Sequence, residues 1–134
     1  MSIDTGLTHP DGYDLPFHGR FDALCDSPIG LVGLDEKTGS ALDKNWSSKW
    51  GLRSQFLNYI HIAGEYGYKL SGFVTRGIIF QKTQFHFPEA LITPSEAVVN
   101  QSWDSTIYEA QLILSHWNQD YFPGAFNDEC NAYG

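Results

Sequence analysis

Cysteine is scarce in this chain: Cys25 and Cys130 are the only two, far apart, and neither belongs to a C-x-x-C pair. That excludes a disulfide framework of the kind that holds small secreted domains together. Cys25 reads instead as a small apolar side chain on a strand. Long apolar runs are also missing. None approaches the roughly 20 residues that span a bilayer, so no membrane segment is expected. The opening Met1-Ser2-Ile3-Asp4 lacks the basic and apolar stretches of a secretory signal. A cytoplasmic location is the simplest expectation. Positive charge is short as well: eight Lys and Arg against sixteen Asp and Glu leave a net charge of −8. Such a balance argues against binding nucleic acid through bulk electrostatics.

The few cations are unevenly placed. All eight lie between Arg20 and Lys82, with Lys44, Lys49 and Arg53 clustered, and only acids follow. The middle of the chain is therefore locally balanced, and an acidic total suits a site that holds metal cations through carboxylates. Apolar residues are plentiful at 42%, and aromatic ones reach 15%, enough to build a core. The 134 residues fit one domain.

Residues 1–15, rich in Gly, Asp and Pro, read as an N-terminal loop segment that ends near a short strand. Phe17 to Cys25 suggests a strand interrupted by Gly19. Ser27-Pro28-Ile29-Gly30 is a turn, and Leu31 to Lys37 reads as a second strand pairing with the first in an antiparallel hairpin. Asp43 to Ser48 is a polar connection with Asn45, Ser47 and Ser48 as candidate helix caps. From about Trp50 to Tyr66, apolar Leu52, Phe56, Tyr59, Ile60 and Ala63 recur at helical spacing, and Gly64 and Gly67 close the helix. Strands are expected at about Lys69 to Gln81 and Thr83 to Ile92. Thr93-Pro94-Ser95-Glu96 then starts a last helix, which runs to about Asn118 with a core-facing stripe of Trp103, Ile107, Ala110, Leu114 and Trp117. The order β-β-α-β-β-α is that of an α/β domain. Its core is expected over 16–119, followed by a tail over 120–134.

On the second strand, alternation puts Asp35 and Lys37 on one side and Glu36 on the other. A carboxylate is a hard oxygen ligand suited to Mg²⁺ or Mn²⁺, and an ammonium beside it can stabilise phosphate charge or position a nucleophile. The hairpin spacing lets Asp22 join Asp35 at one edge. Without a metal, the same residues would form a solvated surface pair of little energetic worth. Gln55 and Tyr59, four apart on the helix, share a face and could hold a water, a phosphate oxygen or a base. Taken alone they read as a solvated residue and a core residue. His18 is a further metal-ligand type near Asp22, more simply read as solvated or packed.

Gly19-Arg20-Phe21-Asp22, Asp35-Glu36-Lys37-Thr38-Gly39 and Gln55-Phe56-Leu57-Asn58-Tyr59, in this order, resemble the RecB-like branch of the PD-(D/E)XK nuclease superfamily. That branch shows G-x-x-D, D-x-K-T and Q-x-x-x-Y at similar spacings. The match covers residues 19–59, and residues 46–63, with Trp46, Trp50 and Ser54-Gln55, also resemble phage-encoded members. The resemblance implies a restriction-endonuclease-like core, a small mixed sheet flanked by helices. It implies metal ligation by Asp22, Asp35 and the backbone carbonyl of Glu36. Lys37 would serve the nucleophilic water, Thr38 would support the metal-site strand, and Gln55 and Tyr59 would contact DNA or organise the site. The implied activity is Mg²⁺- or Mn²⁺-dependent hydrolysis of DNA phosphodiester bonds, often exonucleolytic, in replication, recombination or repair. For a phage-encoded protein the compartment would be the host cytoplasm.

The pattern departs from that branch at both ends. The helix that usually precedes the Asp strand is expected to be missing or reduced, to be completed by a partner or a further segment. Phe122-Pro123 through Cys130 resembles the start of an iron–sulfur segment, but one Cys cannot hold a cluster. A cluster is expected only if a longer parent chain supplies further cysteines, and the chain reads as a fragment of one. The alternative is a catalytically inactive nucleic-acid or protein-interaction domain that retains the fold. A third reading is an unrelated metal-binding hydrolase or small-ligand α/β domain with an accidental motif match.

Overall fold

The computed structural model describes residues 1–120. The tail expected over 120–134, with Cys130, thus lies outside the described residues except for Asp120. Seven strands and two α-helices follow in chain order: β1 (Ser2–Ile3), β2 (Phe17–His18), β3 (Ala23–Ser27), β4 (Gly30–Gly39), α1 (Ser54–Glu65), β5 (Gly72–Phe80), β6 (Phe85–His86), β7 (Glu89–Ile92) and α2 (Glu96–Asn118). From β3 onward the order is β-β-α-β-β-β-α, one strand more than the expected β-β-α-β-β-α.

The expected N-terminal loop instead contributes a strand. β1 pairs antiparallel with β2, with Ser2 opposite His18. Two residues carry too little alternation to signal a strand, and the pairing partner lies in another segment. Gly19 ends β2, so the strand expected across Phe17 to Cys25 is two separate ones. The close approach of α1 explains the glycine: a Cβ at Gly19 would stand 2.7 Å from Cδ1 of Ile62.

β3 and β4 form the anticipated hairpin, in register from Ala23 opposite Leu34 to Ser27 opposite Gly30. Gly30 closes the turn at φ 114°, a conformation L side chains avoid. β5 then pairs parallel to β4, placing Asp35 beside Thr75 and Lys37 beside Gly77. Parallel neighbours need a crossover, and the segment containing α1 supplies it. The single strand expected over 83–92 is broken into β6 and β7, both antiparallel to β5. Pro88 lies at the break, where the Gly77 amide donates to its carbonyl at 2.7 Å. A proline has no amide for the ladder, which confines it to such an irregularity at the sheet edge.

α1 starts later than the periodicity predicts. A 3₁₀ turn occupies Ser48–Trp50, and Arg53, in extended conformation, is the N-cap instead of Asn45, Ser47 or Ser48. Gly67, at φ 82°, lies beyond the C-terminus as expected, whereas Gly64 is within the last turn. The sheet-facing side of α1 brings Phe56 onto Phe73, both fully buried, with ring centroids 4.8 Å apart and nearly parallel. Fully burying such a side chain stabilises by roughly 1.5–3 kcal/mol. Trp46, Ile79 and Ala90 form a second buried cluster next to it, packed by Trp50.

α2 begins as expected, with the Ser95 side chain accepting from the Val98 amide at 3.4 Å and Glu96 in the first turn. It packs along α1 and not on the sheet. The chain is thus an α/β domain with a mixed sheet and two helices, α1 packing on β5 and α2 on α1. The stripe expected to face the core is only half-buried through Trp103, Ile107, Ala110 and Leu114, while Trp117 is exposed. A helix whose sole large neighbour is another helix cannot bury a full face. The α1–α2 contact also has a polar tie: buried Asn58 donates to Thr106 Oγ1 at 2.8 Å and accepts from the Ser102 hydroxyl at 3.2 Å.

Candidate active site

Asp35 and Lys37 are two apart on β4, so their side chains emerge on the sheet face that α1 covers. The Lys37 ammonium lies 2.6 Å from Asp35 Oδ2. The pair is not the solvated one that composition alone would allow, since the side chains are only 8% and 30% exposed, Asp35 being the deeper. Asp35 Oδ2 is fully shielded from solvent and accepts no hydrogen bond of good geometry, so the ammonium contact is one of charge. Glu36 points the other way and pairs with Arg76 at 3.7 Å, which Glu89 also binds at 2.9 Å.

Asp22 is exposed and stands in a bend just before β3, not on the strand itself. Its amide donates to the Leu34 carbonyl at 3.0 Å, and its Oδ2 accepts from the Glu36 amide at 2.7 Å. Continuing the β3–β4 register by one pair sets Asp22 across from Asp35. The hairpin thus delivers this carboxylate to the Asp35-Glu36-Lys37 stretch of backbone.

α1 supplies the rest. Gln55 Oε1 accepts from the Lys37 ammonium at 3.4 Å, and Gln55 Nε2 donates to the Tyr59 hydroxyl at 3.2 Å. The four-residue spacing accounts for the second bond. Tyr59 is half-buried, its ring against Phe21 at 5.5 Å and Phe73 at 5.9 Å, which leaves the hydroxyl on the site side. A continuous chain of contacts therefore runs from Asp35 through Lys37 and Gln55 to Tyr59. No family model matches this chain, and no curated protein does either.

His18 sits exposed on β2 with no bond or ion pair to these residues. Among the described residues, no group of three or more His, Cys, Asp or Glu side chains gathers to hold a metal. The set expected from the resemblance has only two carboxylates, with a backbone carbonyl as the third donor. Thr38 is exposed on the opposite face of β4. Thr75 was not singled out from sequence, because a threonine on a strand is ordinary. It stands beside Asp35 in the parallel register, wholly buried, and its hydroxyl has no hydrogen-bond partner.

Clefts of about 510 and 480 Å³ adjoin His61 and Glu65, and neither includes Asp35, Lys37 or Gln55. The candidate site lies at a strand–helix junction, with Asp35 buried beneath the partly exposed Lys37 and the exposed Gln55. No described helix is long and apolar enough to cross a membrane.

Proposed function

We propose that this chain is a divalent-metal-dependent deoxyribonuclease with a PD-(D/E)XK core, acting on DNA in the manner of the RecB-like branch. One observation carries the reading: buried Asp35 is held beside Lys37, Lys37 donates to Gln55, and Gln55 donates in turn to Tyr59. Stability does not call for such a pair, because replacing buried ions by packed apolar groups is often neutral or favourable.

The donors present fit a hard cation. Carboxylates of Asp22 and Asp35 and the carbonyl of Glu36 would hold Mg²⁺ or Mn²⁺, and Asp35 Oδ2 is an anionic oxygen without a well-formed hydrogen bond. When bound, such an ion polarises the phosphate and makes a water more acidic. The chain's own groups do the remainder. Lys37 places positive charge where the phosphate oxygens gain negative charge, or orients the water that attacks phosphorus. Gln55 fixes the ammonium, and Tyr59 fixes the Gln55 amide by accepting its N–H. The tyrosine's own proton is left to donate to a phosphate oxygen. Water oxygen bonds to phosphorus as the bond to the leaving sugar oxygen breaks, the water giving up a proton to solvent and the sugar oxygen taking one from solvent.

Labelled linear DNA with Mn²⁺, compared across the parent, Asp35→Ala and Lys37→Ala, tests this. The parent should cleave, and each variant should lose about a hundredfold or more in rate. Cleavage that survives both substitutions would overturn the assignment. A second reading, a non-catalytic nucleic-acid or protein-interaction domain, draws support from the Asp22 carboxylate being engaged by the Glu36 amide. Mn²⁺ binding through Asp22 and Asp35 without any cleavage would favour it.

A further inference from the structure

We infer that residues 44–53, ahead of α1, form a phosphate-tracking surface that carries a DNA strand to the Asp35–Lys37 site; the inference rests on the nuclease reading for what the strand is delivered to. The sequence first isolates the segment. Between Asp43 and Glu65 there is no acid, although the chain has sixteen, and Lys44, Lys49 and Arg53 fall in this window. The start of α1 adds to the bias, having neither an acid in its first turn nor a side-chain cap. No side chain of α1's own first turn compensates the partial positive charge of its N-terminus, although Glu109 of α2 borders the cleft that Ser54 also lines.

Aromatic rings then set the positions of the cations. The Lys49 ammonium lies 4.8 Å from the centroid of Trp50 and 5.9 Å from that of Trp46, and the Arg53 guanidinium lies 5.7 Å from Trp50. Trp50 packs on Phe56 at 6.0 Å, and Phe56 carries Lys37 at 5.6 Å. One run of rings thus joins the outer cations to the ammonium of the site. Lys44, Lys49 and Arg53 are exposed and form no ion pair among the described residues, whereas Arg76 is bound by two carboxylates. Because Lys49 and Arg53 occupy Trp50, that ring orients cations and is not offered to a base. The surface consequently reads the phosphodiester backbone and not the sequence. It also explains how a chain of net charge −8 can engage a polyanion: the attraction is local.

The test is DNA binding without cleavage, measured in chelator against salt concentration with both a duplex and a single strand. Each lost phosphate contact should make the slope of log K against log salt shallower by about 0.9 on a duplex and about 0.7 on a single strand. Lys49→Gln/Arg53→Gln should therefore flatten it by about 1.8 or about 1.4, according to the form bound. Lys44→Gln, a change at an exposed side chain that leaves the Trp50 contacts in place, should flatten it by about one such step. Lys69→Gln, beyond the other end of α1, removes the same charge and should leave the slope unaltered. Equal slopes for the parent, the double variant and Lys44→Gln would overturn the proposal. So would a flattening with Lys69→Gln as large as that with Lys44→Gln, or an absence of binding at low salt. Cleavage is read with Mn²⁺ and the salt slope in chelator, so failure of the nuclease reading and failure of this surface are told apart.

Discussion

Lys37 and Asp35 hold each other at 2.6 Å, so a divalent cation approaching Asp35 must compete with an ammonium already there. Lys37→Met keeps most of the stem over Phe56 and removes the competitor. The buried carboxylate would then lack its compensating charge, and the metal-free variant should be less stable by about 1–3 kcal/mol. Mn²⁺ should correspondingly raise its thermal midpoint more than it raises the parent's, while cleavage falls. A Mn²⁺-induced shift no larger than the parent's would show that the pair does not gate metal binding. These side chains could be read from sequence to different depths. The two-residue period placed Asp35 and Lys37 on one face, and the four-residue period placed Gln55 with Tyr59. Nothing local signalled Thr75, because its place beside Asp35 comes from a parallel register that spans α1. Asn58 was equally silent: an amide amid helical polar residues becomes a buried tie only once α2 is in place.

The crossover from β4 through α1 to β5 depends on glycines at points of close approach. Gly77 shows this best: a Cβ there would meet Trp46 Cζ2 at 2.5 Å and Pro88 Cγ at 2.7 Å, both parts of rigid rings. Gly77→Ala should destabilise the fold by about 1–3 kcal/mol, read from denaturant unfolding. Displacing Trp46 should also disturb Lys49, which rests on it. A substitution that leaves stability unchanged would mean that the ring cluster yields more easily than its packing indicates. The strand pattern and the Ser-Pro-Ile-Gly turn made the hairpin legible. Strand pairing partners were not, and Pro88, visible in the sequence, was the overlooked sign that the last expected strand is broken. Helix α2 was found, but its stripe of aromatic and aliphatic residues could not disclose that the neighbour was α1 and not the sheet.

The molecule as a whole is acidic, yet its cations are confined to residues 20–82 and its acid-free window borders the candidate site. A protein with a sequence pI near 4.8 is ordinarily repelled by a negatively charged matrix. Local attraction over 44–53 should nevertheless retain this chain on a cation exchanger at pH 7 and low salt, and Lys49→Gln/Arg53→Gln should run through. Flow-through of the parent would show that the global charge prevails.

The same unevenness has a mechanical side. After Lys82 the chain carries only acids, several of them on α2, which packs on α1 and not on the sheet that holds Asp35. The field of a polyanion would exert a torque on so uneven a charge distribution, turning residues 44–53 toward it before contact, against the opposing pull on Glu109 of α2, which shares a cleft with Ser54.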